Sequence, residues 1–286
     1  MNTSIIPTIS IVIPTFNHAK FISKALESVI NQTYKNWEAI IIDNNSTDDT
    51  DKVINQYNDQ RIKYLKINNN GIIAKSRNLG IREAKGEWIA FLDSDDEWIP
   101  EKLERQLSIL RSDKEAVFCH TNEIWIRNGT RVNQMKKHEK YGGYIFEKCL
   151  DMCRISPSSS IIKKEVFDHI GYFDESLIVC EDYDLWLRIA AHYKVLFLDQ
   201  PLIKKYGGHV DQLSRVEGGI EKYRIQSLEK ILSSKSLNKS QFNSAKEILI
   251  KKLNIYANGV RKRKRVKELD QITERIQYWI NTSKNN

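Results

Sequence analysis

The sequence predicts an α/β fold: a mostly parallel central sheet flanked by helices, with a small antiparallel part and a C-terminal helical extension. Three observations predict it. Four short β-prone runs alternate with three helical-period segments before Asp93, the pattern that lays down a parallel sheet. The fourth run, Trp88 to Leu92, is apolar on both faces, as a strand in mid-sheet must be. Polar residues collect just past the strands, and in a parallel sheet those ends share one edge, where open α/β sheets bind ligands.

In chain order, Thr8 to Ile13 reads as a strand stopped by Pro14, and Phe16-Asn17-His18 as a turn into a helix. Ile22, Ala25, Leu26, Val29 and Ile30 form one helical face. Trp37 to Ile42 is a second strand ending at Asp43. Ser46 with Asp49 three residues on predicts a capping-box start for a helix to about Tyr57. A third strand spans Ile62 to Ile67, and a helix carrying Arg77 and Asn78 spans Gly71 to Ala84. After the fourth strand come a helix from Pro100 to about Leu110 and a strand from Ala116 to His120. Asn122 to Arg127 and Thr130 to Gln134 flank Asn128-Gly129, a hairpin turn. Lys136 to Gly143 reads as a loop, Tyr144 to Cys153 as a short helix and Ser158 to Ile162 as a strand. Leu185 and Ile189 bury one face of a helix begun by Glu181 and Asp182. Val195 to Leu198 and Leu202 to Tyr206 read as two further strands, and two or three amphipathic helices follow from Glu221.

The chain of 286 residues is long enough for a full α/β core, and no apolar run reaches the roughly 20 residues that span a bilayer. Its start has neither the basic nor the apolar region of a signal peptide, so a cytoplasmic location is expected. Cys119, Cys149, Cys153 and Cys180 have no paired C-x-x-C spacing and read as reduced thiols, not as a zinc or disulfide framework. The net charge of +8 is concentrated at one end: residues 221–286 hold 16 Lys and Arg against 6 Asp and Glu, or +10, leaving −2 for the rest. The run Arg261 to Lys267 is either a solvated face or a contact for an anionic membrane surface.

Chemistry points first to Asp93-Ser94-Asp95-Asp96. Acids this close repel one another, and a cation between them lets all ionise near neutral pH. Oxygen ligands favour Mg²⁺ or Mn²⁺, which complete their shell with substrate phosphates. The competing reading is a solvated acidic turn before the Pro100 helix. Thr15 and Asn17, Asp43 and Asn45, and Asp93 and Asp95 would share the sheet edge, where a nucleotide needs base, ribose and diphosphate partners side by side. No G-x-G-x-x-G or G-x-x-x-x-G-K-[ST] is present, which argues against dinucleotide and P-loop sites. Glu181 and Asp182 are either a helix cap or the carboxylate pair that deprotonation of an acceptor requires. His209, beside Gly207 and Gly208, is either an incidental loop residue or a further cation ligand.

Taken together, five stretches resemble an inverting family 2 glycosyltransferase with the Rossmann-like GT-A fold. They are Ile11 to Asn17, Ile41 to Asp48, Ser76 to Gly80, Phe91 to Asp96 and Cys180 to Trp186, in the family's order over roughly residues 8 to 215. The resemblance implies a GT-A domain over 1–218, with a nucleotide-sugar-binding half at 1–120 and an acceptor-binding half at 121–218; residues 219–286 are a basic extension without a family motif. It implies that Pro14, Thr15, Asn17, Asp43, Asn45, Arg77, Asp93 and Ser94 bind the nucleotide sugar, with Asp43 facing the base and Arg77 against the nucleotide or its diphosphate. Asp95, with Asp93 and His209, would hold Mn²⁺ or Mg²⁺. Asp182 resembles the general base, and Glu181 would support it or contact the acceptor.

The implied donor is a nucleotide-diphosphate sugar, with UDP the expected carrier, and the implied acceptor a glycan or lipid-linked glycan of bacterial capsule or lipopolysaccharide type. Peripheral contact with the inner face of the cell membrane would go through the basic helices. A sugar nucleotidyltransferase would carry a glycine-rich basic N-terminal loop, which Ile13 to Asn17 is not. A non-enzymatic basic protein binding membrane or nucleic acid would leave both acidic clusters idle, and acids repel phosphate backbones, so no nucleic-acid partner is expected.

Overall fold

The computed structural model describes residues 6–208 and 219–283. Its first half runs β1 (Ile9–Thr15), α1 (Ile22–Ile30), β2 (Trp37–Asp43), α2 (Thr50–Ile54), β3 (Ile62–Lys66), α3 (Ile73–Glu83) and β4 (Trp88–Phe91). There follow β5 (Glu97–Trp98), α4 (Lys102–Ser112), β6 (Phe118–Arg127), β7 (Thr130–Val132), α5 (Phe146–Cys149), β8 (Ile161–Lys163), α6 (Val166–Ile170), α7 (Glu181–Ala190) and β9 (Leu196–Gly207). The chain closes with α8 (Glu221–Ser233), α9 (Lys239–Lys262) and α10 (Val266–Asn281).

The strands form one sheet in the order β3-β2-β1-β4-β8-β6-β9-β5, with β7 on β6. β1 pairs in parallel with both β2 and β4, and β2 with β3, while β8 enters antiparallel between β4 and β6. This is the expected α/β architecture. Alternation along β1 explains its unbroken apolar run. Ile9, Ile11 and Ile13 enter one core cluster with Leu26 and Val29 of α1 and Leu103 and Leu107 of α4. Val12 enters the other, with Ile81 of α3 and Leu185 and Trp186 of α7. Each face of the sheet is therefore covered by helices, and apolar side chains are required on both.

Helix α3 lies unusually close to β1. A Cβ on Gly80 would stand 2.3 Å from Val12 Cγ1, so glycine sets this approach and carries Arg77, one turn earlier, to the carboxyl edge. The C-terminal helices are not detached. Ile225, Leu228 and Ile231 of α8 and Leu249 and Leu253 of α9 join the same buried cluster as α7. Among the described residues, no helix is long and apolar enough to cross a membrane.

Several boundaries differ from expectation. β6 is one strand where the sequence reads two, and β9 likewise runs through Pro201, accommodated by register shifts against Thr121, Asn122 and Glu123. The capping box at Ser46 does not form: its hydroxyl donates to Asp43 Oδ1 at 2.6 Å, and α2 starts at Thr50 without a side-chain cap. The helix expected over 144–153 is confined to α5, and the loop at 136–143 contains a single 3₁₀ turn at Lys136–His138. β5 is a two-residue strand that local pattern does not reveal.

Lys102 of α4 is fully buried, with Nζ 3.9 Å from the Trp98 ring centroid and no hydrogen-bond partner. Burial pushes its ammonium down to about 7 from 10.5. The unfolded chain thus holds this proton more firmly. The contribution to stability falls as pH drops from about 10.5 towards 7 and is flat below. Lys102→Met is expected to raise Tm at pH 7, by about 2–4 °C per kcal/mol gained, and to flatten the dependence of Tm on pH over that window. Thermal denaturation from pH 6 to 10 measures it; a variant less stable at pH 7 would show that the ammonium is well accommodated.

Candidate active site

The carboxyl ends of β1 and β2 are tied together before they meet any ligand. Thr15 and Asp43 are aligned partners across the two strands. Asn17, at φ 52°, donates from its backbone N–H to Ser46 Oγ at 2.8 Å and accepts from the Thr47 N–H on Oδ1 at 2.8 Å. Asp43 is fully buried: Oδ1 accepts from the Ser46 N–H and Oγ, and Oδ2 accepts from the Tyr64 hydroxyl at 2.6 Å. Thr15 has the opposite character, because its buried Oγ1 has no partner. Buried polar atoms are rarely left so.

The acidic loop follows β4. The Asp93 N–H donates to Ser158 Oγ at 3.0 Å, and the Asp96 N–H to the Asp93 carbonyl at 2.9 Å, which folds the four residues into a turn. Ser94 Oγ lies 2.6 Å from His18 Nδ1, joining this loop to the one after β1. Asp96 is the structural member: Oδ2 accepts from Ser158 Oγ at 2.6 Å and Oδ1 from the Tyr206 N–H at 3.2 Å. Burial, with Asp95 beside it, raises its carboxyl well above the usual range.

The second acidic pair begins α7. Cys180 takes a left-handed backbone, φ 64°, and turns Glu181 and Asp182 into the first turn of the helix, where the dipole favours negative charge. Asp182 accepts from the Tyr183 N–H on Oδ1 at 2.7 Å and from Cys153 Sγ on Oδ2 at 3.3 Å. Trp186 Nε1 and the Tyr183 hydroxyl donate to the Ile155 and Leu150 carbonyls, which clamps the Cys153 segment against the helix. Burial raises the Glu181 carboxyl to about 7, against the pull of Arg77.

Arg77 connects the two acidic groups. It is 3% exposed, donates through Nη2 to Asp93 Oδ1 at 2.7 Å and through Nη1 to Glu181 Oε1, and lies over the Phe173 ring. Asn78 fixes that ring's backbone, bonding both the Phe173 N–H and carbonyl. The guanidinium expected at the nucleotide is thus largely committed to two carboxylates. Burial lowers its hold on a proton, but Asp93 and Glu181 outweigh that.

All of these meet in one cleft of about 850 Å³. Pro14, Thr15, Asn17, Arg77, Asp93, Ser94, Asp95, Glu181 and Asp182 line it. Asp43 and Asn45 do not: the first is sealed beneath the loop and the second is exposed, while Asn44 reaches the wall between them. His209 lies outside the described residues. Among the described residues, no three His, Cys, Asp or Glu side chains form a metal cluster by themselves.

Sequence reasoning missed the far wall. Glu123 and Trp125 project into the cleft from β6 and Lys205 from β9, with Trp125 and Lys205 aligned neighbours. Lys140 pairs with the buried Glu123 at 3.2 Å, and Lys140 and Lys205 together overcome burial and hold its carboxyl at about 2. The signal for it is polar residues at the end of a strand, but Pro201 divides β9 into two short pieces along the sequence.

A family model described as Glycosyl transferase family 2 matches residues 10–171. An uncharacterized glycosyltransferase of Rickettsia typhi is 31% identical over 207 residues, 69% of this chain and 63% of that protein. The chain thus spans less than two thirds of that relative's length. The Escherichia coli UDP-Glc:alpha-D-GlcNAc-diphosphoundecaprenol beta-1,3-glucosyltransferase WfaP is 37% identical over 188 residues, 64% of this chain and 70% of WfaP. Among solved structures, S. aureus TarS 1-349 in complex with UDP-GlcNAc overlaps 86% of this chain and 71% of its own at TM-score 0.70 and 22% identity. The mannosyltransferase PcManGT from Pyrobaculum calidifontis, in complex with GDP-Man and Mn2+, overlaps 96% and 85% at TM-score 0.59 and 15% identity.

Proposed function

Because the chain belongs to glycosyltransferase family 2 and has the GT-A fold, we propose that it transfers a sugar from a UDP-sugar to a hydroxyl of a glycan or lipid-linked glycan, with inversion and with Asp182 as general base. One observation carries the reading: Asp93 and Asp95 at the end of β4 and Asp182 at the start of α7 face a single cleft large enough for a donor sugar and an acceptor hydroxyl. The choice of UDP is supported by the UDP-sugar relatives and by the TarS complex with UDP-GlcNAc.

Thr15 and Asn17 sit where a nucleoside would lie, and the unpartnered Thr15 hydroxyl is a ready contact. With Asp43 sealed, Asn44 takes its place at the cleft surface as the base-side contact. Asp95, with the Asp93 oxygen not bonded to Arg77, fits a divalent cation that takes one or two carboxylates and completes its shell with substrate phosphates. Asp96 does not fit, since both its oxygens are used. When bound, Mn²⁺ or Mg²⁺ supplies positive charge to the departing diphosphate.

Asp182 accepts the acceptor's hydroxyl proton while that oxygen attacks the anomeric carbon from the face opposite the diphosphate. The bond to the diphosphate oxygen breaks with its electron pair leaving on UDP, so a single displacement inverts the centre. Glu181 does not act on substrate in this scheme; with Arg77 it fixes the start of α7 relative to the acidic loop. The exposed stretch Arg261 to Lys267, which ends α9 and begins α10, is the proposed contact with an anionic membrane surface on the cytoplasmic side, where a lipid-linked acceptor would be presented.

A thermal-shift screen of nucleotide sugars with Mn²⁺ tests the donor assignment. A UDP-sugar at 100 times its Kd is expected to add about 2.7 kcal/mol, or roughly 5–10 °C in Tm, and Asp95→Ala should abolish the shift. A panel of UDP-, dTDP-, GDP- and CDP-sugars that leaves Tm unmoved would overturn the assignment.

A further inference from the structure

We propose that Lys205 is a second, protein-borne cation at the reacting centre, sharing with the divalent ion the neutralisation of the acidic loop and of the departing diphosphate. The inference rests on the glycosyl-transfer reading. Lys205 lines the cleft with Asp93, Asp95 and Asp182, on the wall facing the acidic loop. Its Nζ donates to Ser156 Oγ at 3.0 Å, one of three N–H donors an ammonium carries. The next residue ties the strand to the loop, through the Tyr206 N–H on Asp96 Oδ1.

The charges around it decide what it can do. Glu123 acts most strongly on the Lys205 ammonium, but with Lys140 at 3.2 Å it is shared between two ammonium groups, so Lys205 is not neutralised by Glu123 alone. Burial works against the ammonium, yet Glu123, Asp96, Asp93 and Asp182 outweigh it and hold the proton on more firmly than in water. A fixed positive charge beside carboxylates and a divalent ion on those carboxylates repel each other. Removing the lysine should therefore strengthen binding of the metal alone and weaken binding of the metal-loaded diphosphate. The two effects have opposite signs, which a general loss of packing would not produce.

The test titrates Mn²⁺ alone into wild type, Lys205→Met and Lys205→Gln, reading free Mn²⁺ by electron paramagnetic resonance, and then titrates UDP at saturating Mn²⁺ by calorimetry. The variants are expected to bind Mn²⁺ about tenfold more tightly and UDP about tenfold more weakly, as one charge acting over a short distance in a half-buried site allows. Lys205→Arg should restore both. Should Lys205→Met fail to fold by circular dichroism, Lys205→Gln, which keeps a donor for Ser156, carries the same two measurements. Unchanged or weaker Mn²⁺ affinity overturns the shared-field role, and unchanged UDP affinity overturns the diphosphate role. A wild type that binds no UDP overturns the glycosyl-transfer reading beneath it, an outcome distinct from effects confined to the variants.

Discussion

Asp182→Asn is expected to lose transfer by about 10²- to 10⁴-fold, the usual contribution of a positioned general base, while its donor affinity stays within about twofold of wild type. The asymmetry follows from where the side chain sits. Asp182 stands in the first turn of α7, held by the Tyr183 N–H and the Cys153 thiol, whereas the carboxylates proposed for the cation are on the loop after β4. Asparagine keeps the shape and the Tyr183 bond but cannot take a proton. Transfer from the UDP-sugar found in the screen to extracted lipid-linked glycans, alongside calorimetric donor binding, separates the two quantities. Near-normal turnover in the variant would remove Asp182 from its role.

Arg77→Met is expected to cost about 3–5 kcal/mol, because it strips the shared partner from two carboxylates and leaves charge buried without compensation. In Tm this is a fall of roughly 6–20 °C. The loss should depend on pH with a definite sign. Burial already raises the Glu181 carboxyl to about 7 in the presence of Arg77, and removing the guanidinium pushes it further in the same direction. A group whose folded pKa is raised contributes fully below its unfolded value, near 4.5, and loses that contribution as pH rises through the folded one. The deficit of Arg77→Met is therefore smaller at pH 5 than at pH 8. Equal Tm values for variant and wild type at pH 8 would mean that the bridge between Asp93 and Glu181 contributes nothing.

What could be read from the sequence was what local pattern encodes. β1 to β4 announce themselves through apolar runs with helical-period segments between them, and the acids at the end of β4 follow from the strand that carries them. That Arg77 would join Asp93 to Glu181, residues 16 and 104 positions away along the chain, has no local signature. The same holds for Asp43: its strand-end position was legible, but not that Tyr64 on the neighbouring strand and Ser46 would take both its oxygens. In the sequence Pro201 divides β9 into two apparent strands, and only pairing with β6 reveals that the chain continues through a bulge. The far wall, with Trp125 beside Lys205, became visible only once that pairing was known. Residues whose roles depend on non-local partners are the ones a single sequence conceals.

The central claim is that donor and acceptor chemistry share one cleft at the carboxyl edge of the sheet. Hydrogen–deuterium exchange of the protein with and without a UDP-sugar and Mn²⁺ measures this most directly. Slowed exchange is expected in three separated segments at once: Thr15 to His18, Asp93 to Asp96, and the first turn of α7 around Glu181 and Asp182. Protection confined to the C-terminal helices, or absent from the loop after β4 while the ligand is bound, would contradict it.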